Sequence, residues 1–99
     1  MAWAAVGPYG AGMAVVGAEL ASLTRLEAAV AQQRAALEQL RASLANQIAA
    51  TEWSGQAADR FRATWQDEHE PALRRLEAAL QEASVEVARR RAALEAAGA

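Results

Sequence analysis

The sequence predicts an all-α chain: an antiparallel helix–turn–helix hairpin that pairs into a four-helix bundle dimer. Three observations lead there. Two long alanine-rich stretches carry leucine and valine at three- and four-residue spacing, which is the period of one helical face. The break between them is short and holds the triplet Trp53-Ser54-Gly55. A two-helix hairpin of 99 residues has one apolar face and nothing to cover it, so a second hairpin or a self-copy must do so.

Residues 1–15 read as a flexible Gly/Pro/Ala-rich arm. The first charged side chain is Glu19, so a secretory signal has to be weighed. The segment lacks a basic start, and Gly7, Pro8, Gly10 and Gly12 interrupt its apolar run, which argues against a cleaved signal. It is also too short and broken to cross a bilayer. Met13 is an alternative start, because the helical pattern begins just after it.

Helix one is expected over 16–51. Val16, Leu23, Val30, Leu37 and Leu44 recur every seven residues, and Thr51 closes the series. Leu26 and Leu40 lie three residues after Leu23 and Leu37, completing an a/d seam, and Leu20 and Ile48 widen it on one flank. Gln33 and Gln47 fall at d positions, where polar side chains fix register and partner choice at some cost in stability. Ala28, Ala35 and Ala42 occupy the opposite face. They favour helix without demanding burial.

The turn is expected over 52–55. Gly55 supplies a backbone free to turn without a Cβ clash, and Trp53 a large apolar group to seal the end of the hairpin. Helix two is expected over 56–97. It opens with Phe61 and Trp65, four apart and so on one face, read as core packing at the dimer seam. Leu73, Leu76, Leu80, Ala83, Val87 and Leu94 continue the stripe. Between these runs stands Asp67-Glu68-His69-Glu70-Pro71, where a kink or a break with a restart is expected because proline lacks a donor and crowds the preceding turn. Arg34–Glu38, Asp59–Arg62, Glu70–Arg74 and Glu86–Arg90 have the spacing of surface ion pairs. Rods of roughly 50 and 60 Å, from about 1.5 Å per residue, should fold back antiparallel across so short a link.

Charge and composition exclude several functions. The net charge is −2 with the two signs interspersed, which gives no case for nucleic acid. The absence of cysteine removes disulfides, thiolate catalysis and Cys-based zinc sites. His69 with Asp67, Glu68 and Glu70 makes a poor metal site, since adjacent residues of a helix point in different directions. No metal or other cofactor is expected. Arg89-Arg90-Arg91 complements the dipole at a helix C-terminus. No catalytic constellation can be assembled on a bare hairpin, which has little means to build a concave pocket, so no enzyme activity is expected.

The run Trp53-Ser54-Gly55-Gln56-Ala57-Ala58-Asp59-Arg60-Phe61 follows the pattern W-x-G-x-A-A-x-x-F. With the two long helices around it, it resembles the Trp-x-Gly proteins exported by type VII secretion systems, the early-secreted-antigen group of actinobacteria and Gram-positive bacteria. The resemblance covers roughly residues 16–97. It implies a non-enzymatic protein that pairs with a paralogous hairpin, a heterodimer in preference to a homodimer. Such a pair would leave the cytoplasm folded, without a cleaved signal peptide. Exported pairs of this kind carry Tyr-x-x-x-Asp/Glu after helix two of one partner, where the secretion ATPase reads it. Here Arg91-Ala92-Ala93-Leu94-Glu95 stands near that position and the one tyrosine is Tyr9, so the partner is expected to supply the signal. Two other readings compete with this one. The first is an intracellular coiled-coil scaffold or regulatory interaction protein. The second is a membrane-surface peptide suggested by the uncharged arm and Trp3; stable membrane insertion is not expected.

Overall fold

The computed structural model describes the backbone of residues 7–98 and the side chains of 14–98. The first six residues of the expected arm, including Trp3, lie outside the described residues, as do the side chains of Tyr9 and Met13. Helix α1 runs over Gly7–Ala50, α2 over Gln56–Thr64 and α3 over Glu70–Gly98, with one turn of π-helix, Trp65–His69, joining the last two. Among the described residues there is no strand.

The fold is an antiparallel hairpin. Arg91, toward the end of α3, meets Glu27 midway along α1, and Glu77, toward the start of α3, meets Arg41 nearer the end of α1. A Cβ placed on Gly98 would stand 3.0 Å from Cγ1 of Val16, so α3 ends level with Val16. The molecule measures 76 × 23 × 14 Å with a radius of gyration of 22.3 Å, against about 13 Å for a compact chain of this length. A shape this thin has no interior. Among the described residues the only buried apolar side chain is Ala58 and the only buried charged one is Glu77.

Helix α1 starts at Gly7 rather than Val16, so residues 7–15 of the expected arm are helical and extend past the end of α3. Proline and glycine here do not stop the helix. Pro8 lies in the first turn, where its missing N–H has no intrahelical partner in any case. Gly10, Gly12 and Gly17 each cost about 1 kcal/mol relative to alanine but leave the backbone ladder intact.

Helix two continues past Pro71 without a break. The Glu70 N–H bonds the Trp65 carbonyl, five residues back, instead of the usual four. In a regular helix the Pro71 ring would crowd the carbonyl of Asp67. The wider π turn just before it relieves that crowding. Where a kink or a break is expected, the helix carries a single π turn over Trp65–His69.

Candidate pairing surface

The tip of the hairpin is a small built unit. Gly55 sits at φ 107°, ψ −179°, a region essentially reserved for glycine. Its carbonyl accepts the first hydrogen bond of α2, from the Asp59 N–H at 3.0 Å. Ala58, fully buried, lies one turn into that helix. The Trp53 and Phe61 rings meet at 5.7 Å between centroids and 54° between planes, within the range for a favourable aromatic pair. Each fixed position of the W-x-G-x-A-A-x-x-F pattern except Ala57, which is exposed, therefore has an identifiable local role.

Arg62 holds the tip to the end of α1. Its guanidinium donates from Nη1 to the Trp53 carbonyl at 2.8 Å and from Nη2 to the Thr51 carbonyl at 3.0 Å. These carbonyls follow the last turn of α1, where backbone acceptors have no helical partner. The expected Asp59–Arg62 ion pair is not formed among the described contacts, because the arginine is used as this clamp. The other three expected pairs are present: Arg34–Glu38 at 3.3 Å, Arg74–Glu70 at 2.9 Å and Arg90–Glu86 at 2.9 Å.

Along the rods, heptad position decides burial. In α1 the a row (Val16, Leu23, Val30, Leu37, Leu44) is half-buried, and so are Leu20 and Ile48 at e. The remaining e positions are charged and reach across to α3. Arg41 grips Glu77 with Nε–Oε2 at 2.6 Å and Nη2–Oε1 at 3.1 Å. Arg91 bonds Glu27 at 3.0 Å, and Arg34 bonds Gln81 at 2.6 Å. The hydrogen bond from Arg41 holds the Glu77 carboxyl below its ordinary pKa, and Glu77 raises that of Arg41. Arg91 is raised in the same way by its bond to Glu27. Arg91 thus contacts its own hairpin's acidic residue, whereas Arg89 and Arg90 both turn to Glu86.

The d row is left over. Leu26 and Leu40 are 48% and 51% exposed, and Leu76, at the matching position of α3, is 50% exposed. Gln33 and Gln47 are exposed too. Leu73, Leu80 and Val87 are half-buried at seven-residue spacing on α3. Leu37, Leu40, Leu76 and Leu80, with Gln33 and Ala36, line a shallow groove of about 270 Å³ between the rods. A second depression of similar size at the tip is lined by Leu44, Gln47, Ile48, Thr51, Trp53, Phe61 and Arg62. Ser54 is exposed.

Phe61 and Trp65, four residues apart, border adjacent depressions of the tip. Phe61 lies with Trp53 on the open side and is 48% exposed. Trp65 is half-buried over Ala45 and Ala49 on the other side of Ile48. Ile48 and Arg62 border both sites and so divide the two rings. The cross-helix ion pairs and the Arg62 clamp were not anticipated from the sequence. The signal for the former was there: Glu27 and Arg41 are two heptads apart, as are Glu77 and Arg91, with opposite charges at matching e positions.

Among the described residues no group of three or more His, Cys, Asp or Glu side chains is placed to hold a metal ion. No helix among them is long and apolar enough to cross a membrane. No family model matches the chain, and neither a curated protein nor a solved structure matches it.

Proposed function

We propose that the chain works by pairing: a second helical hairpin covers its open side, and the closed four-helix bundle is the functional form. The observation that carries this is the unburied row of Leu26, Leu40 and Leu76, continued at the tip by Trp53 and Phe61. Leucine at half exposure along a regular row, rather than scattered singly, marks an association surface. The hairpin spends its a and e rows on its own two helices and keeps its d row for another.

The W-x-G-x-A-A-x-x-F tip supports a particular setting for that pairing, export by a type VII secretion system. In that setting the partner is a paralogous hairpin, and its tail carries the signal for the secretion ATPase in place of Arg91–Glu95 here. The pair crosses as a folded unit, without catalysis. Export is tested by location. Protein in the culture medium only while the ATPase is intact supports it, and protein confined to the cytosol in both strains favours a scaffold. Pairing is tested by co-expression with the product of the adjacent gene, which should give a 1:1 complex more helical than either chain alone.

A further inference from the structure

We propose that the π turn Trp65–His69 is a register step: its one extra residue aims the aromatic tip, bringing Phe61 into line with Leu76 on the open side. The step is a device of the fold itself and stands whatever covers that side.

The less exposed residues of α2 and α3 carry the inference. Ala58, Arg62 and Trp65 stand four and three positions apart, the stride of one helical face. The same alternation runs from Glu70 through Leu73, Glu77 and Leu80 to Leu94, with Pro71, Glu86 and Ala88 half-buried beside it. Between the two series the interval from Trp65 to Glu70 is five, where four would continue the stride. These are the two residues joined by the π hydrogen bond. Ala58 to Leu94 therefore spans five heptads and one residue. The open row carries the same step. Phe61 and Leu76, 48% and 50% exposed, are two heptads and one residue apart.

Each residue of an α-helix turns the chain by about 100°. Run backward from Leu73 and Glu70 without the step, the stride would fall on Gln66, Ala63 and Asp59. All three are exposed. Trp65 would turn away from Ala45 and Ala49, and a carboxylate would stand where Ala58 is buried. Arg62 and His69, not Phe61, would be in line with Leu76. Proline alone does not call for this arrangement, since a kink or a break also relieves its ring. A gain of one residue, by contrast, keeps Trp65 on Ala45 and Ala49 while Leu80 stays on Leu37. Pro71 also holds the step in place. Shifting the wide turn one residue toward the C-terminus would require an N–H at position 71 to bond the Gln66 carbonyl, five residues back. Proline has none, so the turn stops just ahead of it.

Three variants test the step through nuclear Overhauser contacts. Trp65 with the Ala45 and Ala49 methyls reports the tip, and Leu80 with Leu37 reports the rods. Pro71→Ala keeps the extra residue and should keep both sets of contacts. Deleting Asp67 along with Pro71→Ala gives an unbroken α-helix already in register. It too should keep both sets, now without the five-residue hydrogen bond. Inserting an alanine after Asp67 adds a second step of about 100° and should lose at least one set. Loss of the Trp65 contacts in Pro71→Ala would make the π turn a response to proline alone and overturn the proposal. Their loss in the deletion variant, or retention of both sets in the insertion variant, would overturn it as well. These outcomes are separate from whether a second hairpin covers the open side.

Discussion

Arg41 and Glu77 are joined by two hydrogen bonds, at 2.6 and 3.1 Å, across the hairpin from positions 36 residues apart in the chain. Glu77 is 8% exposed, the least exposed charged residue among those described. A bidentate arginine–carboxylate pair is directional. With Arg91–Glu27 two heptads away, it sets the height at which α3 lies against α1.

Breaking this pair should loosen the hairpin. Glu77→Ala leaves the half-buried Arg41 without its cross-helix partner, and the melting temperature should drop by several degrees. Glu82→Ala, on an exposed position, should leave it unchanged. Arg41→Ala combined with Glu77→Ala should cost less than the sum of the two single changes, as a double-mutant cycle followed by thermal melting would show.

The same pair sets a pH dependence. The Glu77 carboxyl is held below its ordinary value of 4.5 by the Arg41 hydrogen bond. A carboxyl depressed in the folded state adds stability above its unfolded pKa and loses that stability as pH falls through its folded pKa. Helix content should therefore be maintained down to about pH 4.5 and decline below it. Glu77→Gln should show a shallower acid decline, read by circular dichroism. The raised Arg41 and Arg91 pKa values add nothing to this window, since both groups are charged throughout it.

Gly55→Ala should destabilise the tip by about 1–3 kcal/mol, the cost of a non-glycine residue in that backbone region. A Cβ there would meet nothing within 4 Å, so the loss comes from the backbone alone. A synthetic chain with D-alanine at position 55 should recover most of the stability, because its preferred angles are the mirror image. Equal loss with both enantiomers would assign the effect to crowding instead.

Ala58→Leu should cost about 1–3 kcal/mol by overpacking, because Ala58 is fully buried where α2 begins. The same change at its exposed neighbour Ala57 should be near neutral. Arg62→Met keeps the aliphatic stem and removes the donors to Thr51 and Trp53. It should cost about 1 kcal/mol, typical of a net hydrogen-bond contribution. Chemical denaturation of the three variants distinguishes these outcomes.

The hairpin was legible because its cause is local and periodic. Leucine and valine at sevens specify a face, and one glycine between two unbroken alanine-rich runs specifies a reversal. Three features were not legible in that way. The helical stretch at 7–15 has a composition that reads as a break, yet Pro8 falls at the one place in a helix that tolerates it. The π turn before Pro71 is one of several ways to absorb a proline, and composition does not choose among them. The roles of Glu27, Arg41, Glu77 and Arg91 depend on the register between two distant segments, which local spacing does not contain. The burial order along the seam has the same origin: once the e rows face each other, the d row must turn outward, so Leu26 and Leu40 lie open while Leu23 and Leu37 do not.

The central claim is that this open d row exists to be covered by another hairpin. Sedimentation equilibrium tests it most directly, on the chain and on a Leu26→Glu, Leu40→Glu variant, each alone and with the product of the adjacent gene. The account predicts a two-hairpin mass for the unaltered chain, and a loss of that mass with reduced helicity for the variant. A folded monomer of equal helicity in both, indifferent to two glutamates on the exposed leucines of α1, would contradict it.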